Sequence, residues 1–157
     1  MQIVQGTIND RKVLYFDIDD SLNEIERIDL ESWVTYVIAD DVSHPLLNRY
    51  AEMAIDKNLL YMSATGKAGS EIDDLFDSLI VQREIEGMKL PMWFRDKDDV
   101  LMTTWHDDFE EGYWFITSVA QYEDFPIKSV VVVNFSQISR FGEIQVLTER
   151  IRSGQFP

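Results

Sequence analysis

Four runs of β-branched and aromatic residues limit what this chain can fold into: WVTYVIA (33–39), LLYMSA (59–64), VLMTTW (100–105) and SVVVVNF (129–135). Each is almost continuously apolar rather than alternating, the pattern of a strand covered on both faces. Between the runs the apolar spacing changes to three and four residues, which marks helices. Leu46, Leu47, Tyr50, Met53 and Ala54 make one stripe, and Ile72, Leu75, Phe76, Leu79 and Ile80 a second. Phe109, Tyr113, Ile116 and Ala120 make a third, and a last helix over roughly 137–152 carries Ile138, Phe141, Leu147 and Ile151. From residue 33 the order is therefore βαβαβαβα. That order predicts an α/β fold of three layers, a mainly parallel sheet with helices on both faces.

Residues 1–31 read differently. MQIVQGTI and KVLYFDI are strand-like, and Asn9-Asp10-Arg11 between them is turn chemistry. They predict an antiparallel hairpin at an edge of the sheet, followed by a polar, acid-rich connection from Asp19 to Glu31. Ser43 with Pro45, Ser70 with Asp73, and Asp108 with Glu111 are candidate helix starts, and Asn58 a candidate stop. The 157 residues show no internal repeat or linker and fit one domain.

Charge narrows the partners. There are 29 acids against 14 lysines and arginines, a formal net charge of −15. Such a surface repels nucleic acid and anionic membranes, and it suits a basic protein partner or divalent cations. Cysteine is absent, so neither disulfides nor thiolate chemistry is available. The N-terminus has no basic region followed by a long apolar run, and no stretch approaches the roughly 18–20 apolar residues that span a bilayer. The expectation is a soluble, cytoplasmic protein.

In a parallel sheet, ligands bind beyond the carboxyl ends of the strands. Those ends are Asp40-Asp41, Ser63 with Thr65-Gly66, Thr104-Trp105-His106-Asp107, and Asn134 with Ser136. Asp40, Asp41, Thr65, Gly66, Thr104, Trp105, His106 and Asp107 are the candidate binding residues, with Trp114 as an aromatic contact. The acids among them also have an ordinary role, since carboxylates cap helix starts. Two histidines without ligand spacing argue against zinc. There is no G-x-S-x-G elbow, and TGKAGS (65–70) lacks the order of a P-loop.

Two resemblances add to this reading. VLYFDIDDSL (13–22) resembles the nucleophile motif of haloacid-dehalogenase-type phosphatases, D-x-D-x-[ST] after a buried strand. It implies that Asp17 attacks phosphorus and Asp19 protonates the leaving group. Ser63 or Thr65 would then hold phosphoryl oxygens, Lys67 or Lys97 would steady the charge, and Asp107 or Asp108 would complete a Mg²⁺ site with Asp17 and Asp19. The pattern departs at the last strand, VVVVNFSQ, which carries no acid. LLYMSATGKAGSEIDDLFD and DDVLMTTWHDDFEEGYWF resemble a family of small uncharacterised bacterial α/β domains with a TTWH-type motif, here Thr103 to His106. That resemblance implies the fold and no activity. The leading expectation is a non-enzymatic interaction protein without a cofactor, of the immunity or inhibitor kind, which binds a basic protein. The alternatives are a Mg²⁺-dependent phosphohydrolase using Asp17, Asp19, Ser63 and Lys97, and a small-ligand or nucleotide sensor near Thr104 to Asp107.

Overall fold

β1 (Gln2–Ile8) and β2 (Arg11–Asp17) form the expected hairpin, with Ile8 opposite Arg11. Asn9 and Asp10 both have positive φ, 51° and 60°. This is the backbone of a type I′ turn, which asparagine and aspartate tolerate and which matches strand twist. The computed structural model describes residues 1–18, 22–94, 99–122 and 124–157.

After the hairpin come α1 (Leu22–Arg27), β3 (Trp33–Ile38), α2 (Leu47–Asp56), β4 (Tyr61–Thr65), α3 (Gly69–Glu86) and β5 (Met102–His106). α4 (Phe109–Trp114) runs straight into a π-helical turn, Phe115–Val119, and β6 (Ser129–Asn134) and α5 (Phe141–Arg152) complete the chain. The sheet order is β1-β2-β6-β3-β4-β5, parallel throughout except for β1. Valine-rich β6 lies between β2 and β3, and its side chains from Val130 to Val133 are fully buried. A strand walled on both sides and both faces has use for no polar side chain, which explains the uninterrupted valines.

Of the two hairpin strands only β1 lies at a sheet edge, so the hairpin is not an appendage. β2 pairs with β6 from Lys12↔Ser129 to Asp17↔Asn134, and the strand–helix alternation starts there, with α1 as the first crossover helix.

Neighbouring residues on β3 show the three layers. Thr35 bonds the Tyr50 hydroxyl of α2 at 2.6 Å, while Tyr36 donates in the opposite direction to the Phe109 carbonyl of α4 at 2.7 Å. α3 joins α2 through Arg83, which pairs with Glu52 and with Asp56 at 2.7 Å. α5 joins α4 through Tyr113 and Thr148, 2.8 Å apart. Arg11 is buried and donates to the carbonyls of Ile116 and Ala120 at 2.8 and 2.6 Å. It thus satisfies a π turn whose own carbonyls are left open. No helix among the described residues is long and apolar enough to cross a membrane.

Three local expectations change. Ser43 does not cap α2. Its hydroxyl donates to Asp41, and α2 begins four residues later at Leu47. α3 starts at Gly69, ahead of Ser70, with no side-chain cap. Ile138 lies before α5 and is 76% exposed, because the loop after β6 uses residues 135–140. Asp108 behaves as expected: it accepts the Glu111 N–H at 2.8 Å.

Candidate functional site

The chain leaves β3 toward α2 on one face and leaves the adjacent β6 toward α5 on the other. Such a reversal opens a crevice at the carboxyl ends of the strands. Here the crevice is a cleft of about 1120 Å³, floored by the ends of β2, β6 and β3 and walled by the 40–45 and 135–140 loops.

Asn134 builds the floor. It is fully buried, and its amide uses every bonding position. Nδ2 donates to Asp17 Oδ1 at 2.8 Å and to the Ile138 carbonyl at 2.9 Å. Oδ1 accepts the Ser136 N–H at 3.1 Å and its hydroxyl at 2.7 Å. The Tyr15 hydroxyl donates to the same Asp17 oxygen at 2.7 Å and accepts the Arg140 N–H, also at 2.7 Å. One carboxylate oxygen thus ties the end of β2 to β6 and to the start of α5.

The walls are acidic. Asp40 accepts the Lys67 N–H at 3.0 Å. Asp41 accepts both the N–H and the hydroxyl of Ser43, at 2.9 and 2.7 Å, and these bonds hold its carboxyl below the usual range. Arg140, the one arginine lining the cleft among the described residues, pairs with Glu143, and its guanidinium stacks 3.9 Å from the Phe109 ring centroid. His44 sits edge-on to Phe135 and accepts the Leu46 N–H through Nδ1 at 3.2 Å.

The expected residues divide into two places. Asp17, Asp40 and Asp41 meet in this cleft. Thr104, Trp105, His106 and Asp107 lie on or just past β5 at the far edge of the sheet. Thr104 and His106 face α4: the imidazole packs on Phe115 at 5.0 Å, and Thr104 Oγ1 and His106 Nε2 are shielded from solvent. Trp105 faces the α3 side and is 46% exposed. Trp114 is half-buried against Phe156.

Thr65 spends its hydroxyl on the His106 carbonyl at 2.9 Å. Gly66 has φ +96°, and a Cβ there would collide with the Ala39 carbonyl, so the glycine is needed for the β4–α3 loop to pass the end of β3. Ser63 is buried within β4. Three strand spacings separate β4 from β2, which puts Ser63 and Thr65 about 14 Å from Asp17. Asp19 and Lys97 lie outside the described residues. Among the described residues, no three His, Asp or Glu side chains converge as a cation set.

Tyr15, Ser139, Arg140 and Glu143 did not stand out in the sequence. A helix drawn from residue 137 hides the last three, Tyr15 sits in an apolar strand run, and the one available clue was that Asn134-Phe135-Ser136 interrupts a valine strand.

A family model matches residues 12–151. The chain belongs to that family, described as a domain of unknown function, DUF7684. The match takes in β2 and ends within α5, so the floor and both walls of the cleft lie inside the family domain while β1 lies outside it. A comparison with curated proteins finds no match.

Proposed function

We propose that this domain is a non-enzymatic binding protein for a basic protein partner, engaged at the carboxyl end of its sheet. The observation that carries the reading is uncompensated charge. Asp40, Asp41, Asp107 and Asp108 follow β3 and β5, and among the described residues none of them forms an ion pair. Their hydrogen bonds, where present, come from neutral N–H and hydroxyl groups, which leave the negative potential in place. A cleft beside such charge concentrates cationic groups and speeds their association. An inhibitor or immunity protein is the most concrete form of this function.

The phosphohydrolase alternative draws less support. Asp17 Oδ1 accepts hydrogen bonds from the Tyr15 hydroxyl and the Asn134 amide, which tie it into the junction of β2, β6 and α5.

The test is capture of partners from a cell extract on the immobilised protein, with wild type beside an Asp40→Asn/Asp41→Asn/Asp107→Asn variant. Asparagine keeps the hydrogen-bond acceptors and removes the charge. The expected result is a basic protein released by salt and bound about tenfold more weakly by the variant. Recovery of no basic protein, or equal binding by both, refutes the reading.

A further inference from the structure

β5 is the last strand of the sheet. Among the described residues it pairs only with β4, so its outer N–H and C=O groups have no strand partner. Its side chains and those leading into it are also unusually open: Val100, Met102 and Trp105 are 54%, 41% and 46% exposed. An edge of this kind is a template for another strand, and proteins normally blunt it with lysine, proline or a bulge. Neither lysine nor proline stands at 100–106, and β5 pairs with β4 in unbroken register from Met102 to His106.

The charge beside this edge has one sign. Thr103 and Trp105 point to the α3 side, where Thr103 donates to Asp77 at 2.9 Å. Asp73, one turn earlier, faces the same threonine, and one of its carboxylate oxygens is shielded from solvent without a hydrogen-bond partner. Desolvation, together with the like charges of Asp77 and Asp74, raises its pKa. A cation at this position relieves both effects.

We infer that the β5 edge accepts an extended segment of the basic partner as a seventh strand, with lysine or arginine at alternate positions facing Asp73 and Asp77. The inference rests on the basic-partner reading above and adds its geometry. Strand side chains alternate between faces. Residues of the incoming strand on the Thr103 and Trp105 side therefore meet Asp73, Asp77 and the indole, and those on the other side meet Met102. The matching sequence is basic–apolar–basic–apolar, with main-chain bonds supplying affinity and the alternation supplying specificity. Trp105 is the anchor, as exposed tryptophan commonly is at interfaces.

The test uses the whole protein and two end-blocked peptides of equal composition, Lys-Val-Lys-Val-Lys-Val and Lys-Lys-Lys-Val-Val-Val. Affinity is read by calorimetry at low salt, and amide hydrogen exchange is followed at residues 102–106. The alternating peptide should bind about tenfold more tightly than the block peptide, and it should slow exchange at 102–106. Asp73→Asn/Asp77→Asn should weaken it about tenfold, with Trp105→Ala as a second, independent loss. Equal binding of both peptides, no binding, or binding that leaves 102–106 unprotected overturns strand addition. If extract capture yields a basic partner whose complex leaves 102–106 unprotected, strand addition falls alone. If capture yields no basic partner, the functional reading falls with it.

Discussion

Replacing Asn134 by aspartate tests the cleft floor directly. The change keeps size and acceptors but turns the donor Nδ2 into an oxygen facing Asp17 Oδ1 and the Ile138 carbonyl, now 2.8 and 2.9 Å away. A hydrogen bond to a charged group contributes about 1.5–3 kcal/mol and a neutral one about 0.5–1.5 kcal/mol, so about 2–4.5 kcal/mol is lost before repulsion is counted. Repulsion then makes the loss depend on pH. Burial and the neighbouring Asp17 raise the new carboxyl's pKa in the folded state above the ordinary value of about 3.9. The folded protein therefore holds that proton more tightly than the unfolded chain does, and the variant loses stability as pH rises through the raised pKa. At low pH the protonated carboxyl donates to Asp17 and restores one bond. Urea unfolding at pH 5 and pH 8 measures this, with Asn134→Leu as the control that loses the same bonds without adding a charge. The aspartate variant should lose about 4 kcal/mol at pH 8 and at least about 1 kcal/mol less at pH 5, while the leucine variant shows no such difference. A loss under about 1 kcal/mol at pH 8, or the same pH response in both variants, refutes the network as described.

Arg11→Met should cost about 2–4 kcal/mol in urea unfolding, since the carbonyls of Ile116 and Ala120 lose their donors, and exchange should quicken first at amides 116–120. Burial raises the phenol pKa values of Tyr36, Tyr50 and Tyr113. Their contribution is complete below the ordinary value of about 10 and is lost as pH rises above it, so an absorbance titration should show these three ionising together with loss of near-ultraviolet circular dichroism. Asp73 has its pKa raised, chiefly by desolvation. Its charge therefore opposes folding above the ordinary range near 4, and Asp73→Asn should unfold at higher temperature than wild type at pH 7, with the gap closing near pH 3.

The sequence by itself determined the fold class, because continuous apolar runs and 3.6-residue stripes encode burial within a single element. Local chemistry was equally legible where it is local: the Asn9-Asp10 turn, the Asp108 cap, and strand ends rich in acids. What only the tertiary structure decided was which strand ends meet. β6 closes between β2 and β3, and that insertion brings Asp17 to Asn134 across 117 residues of chain. It leaves Trp105 on the opposite edge, with Asp73 and Asp77 of α3 beside it. Strand order follows from how whole helices and strands pack, a sum over many distant contacts, and no window of neighbouring residues carries that sum.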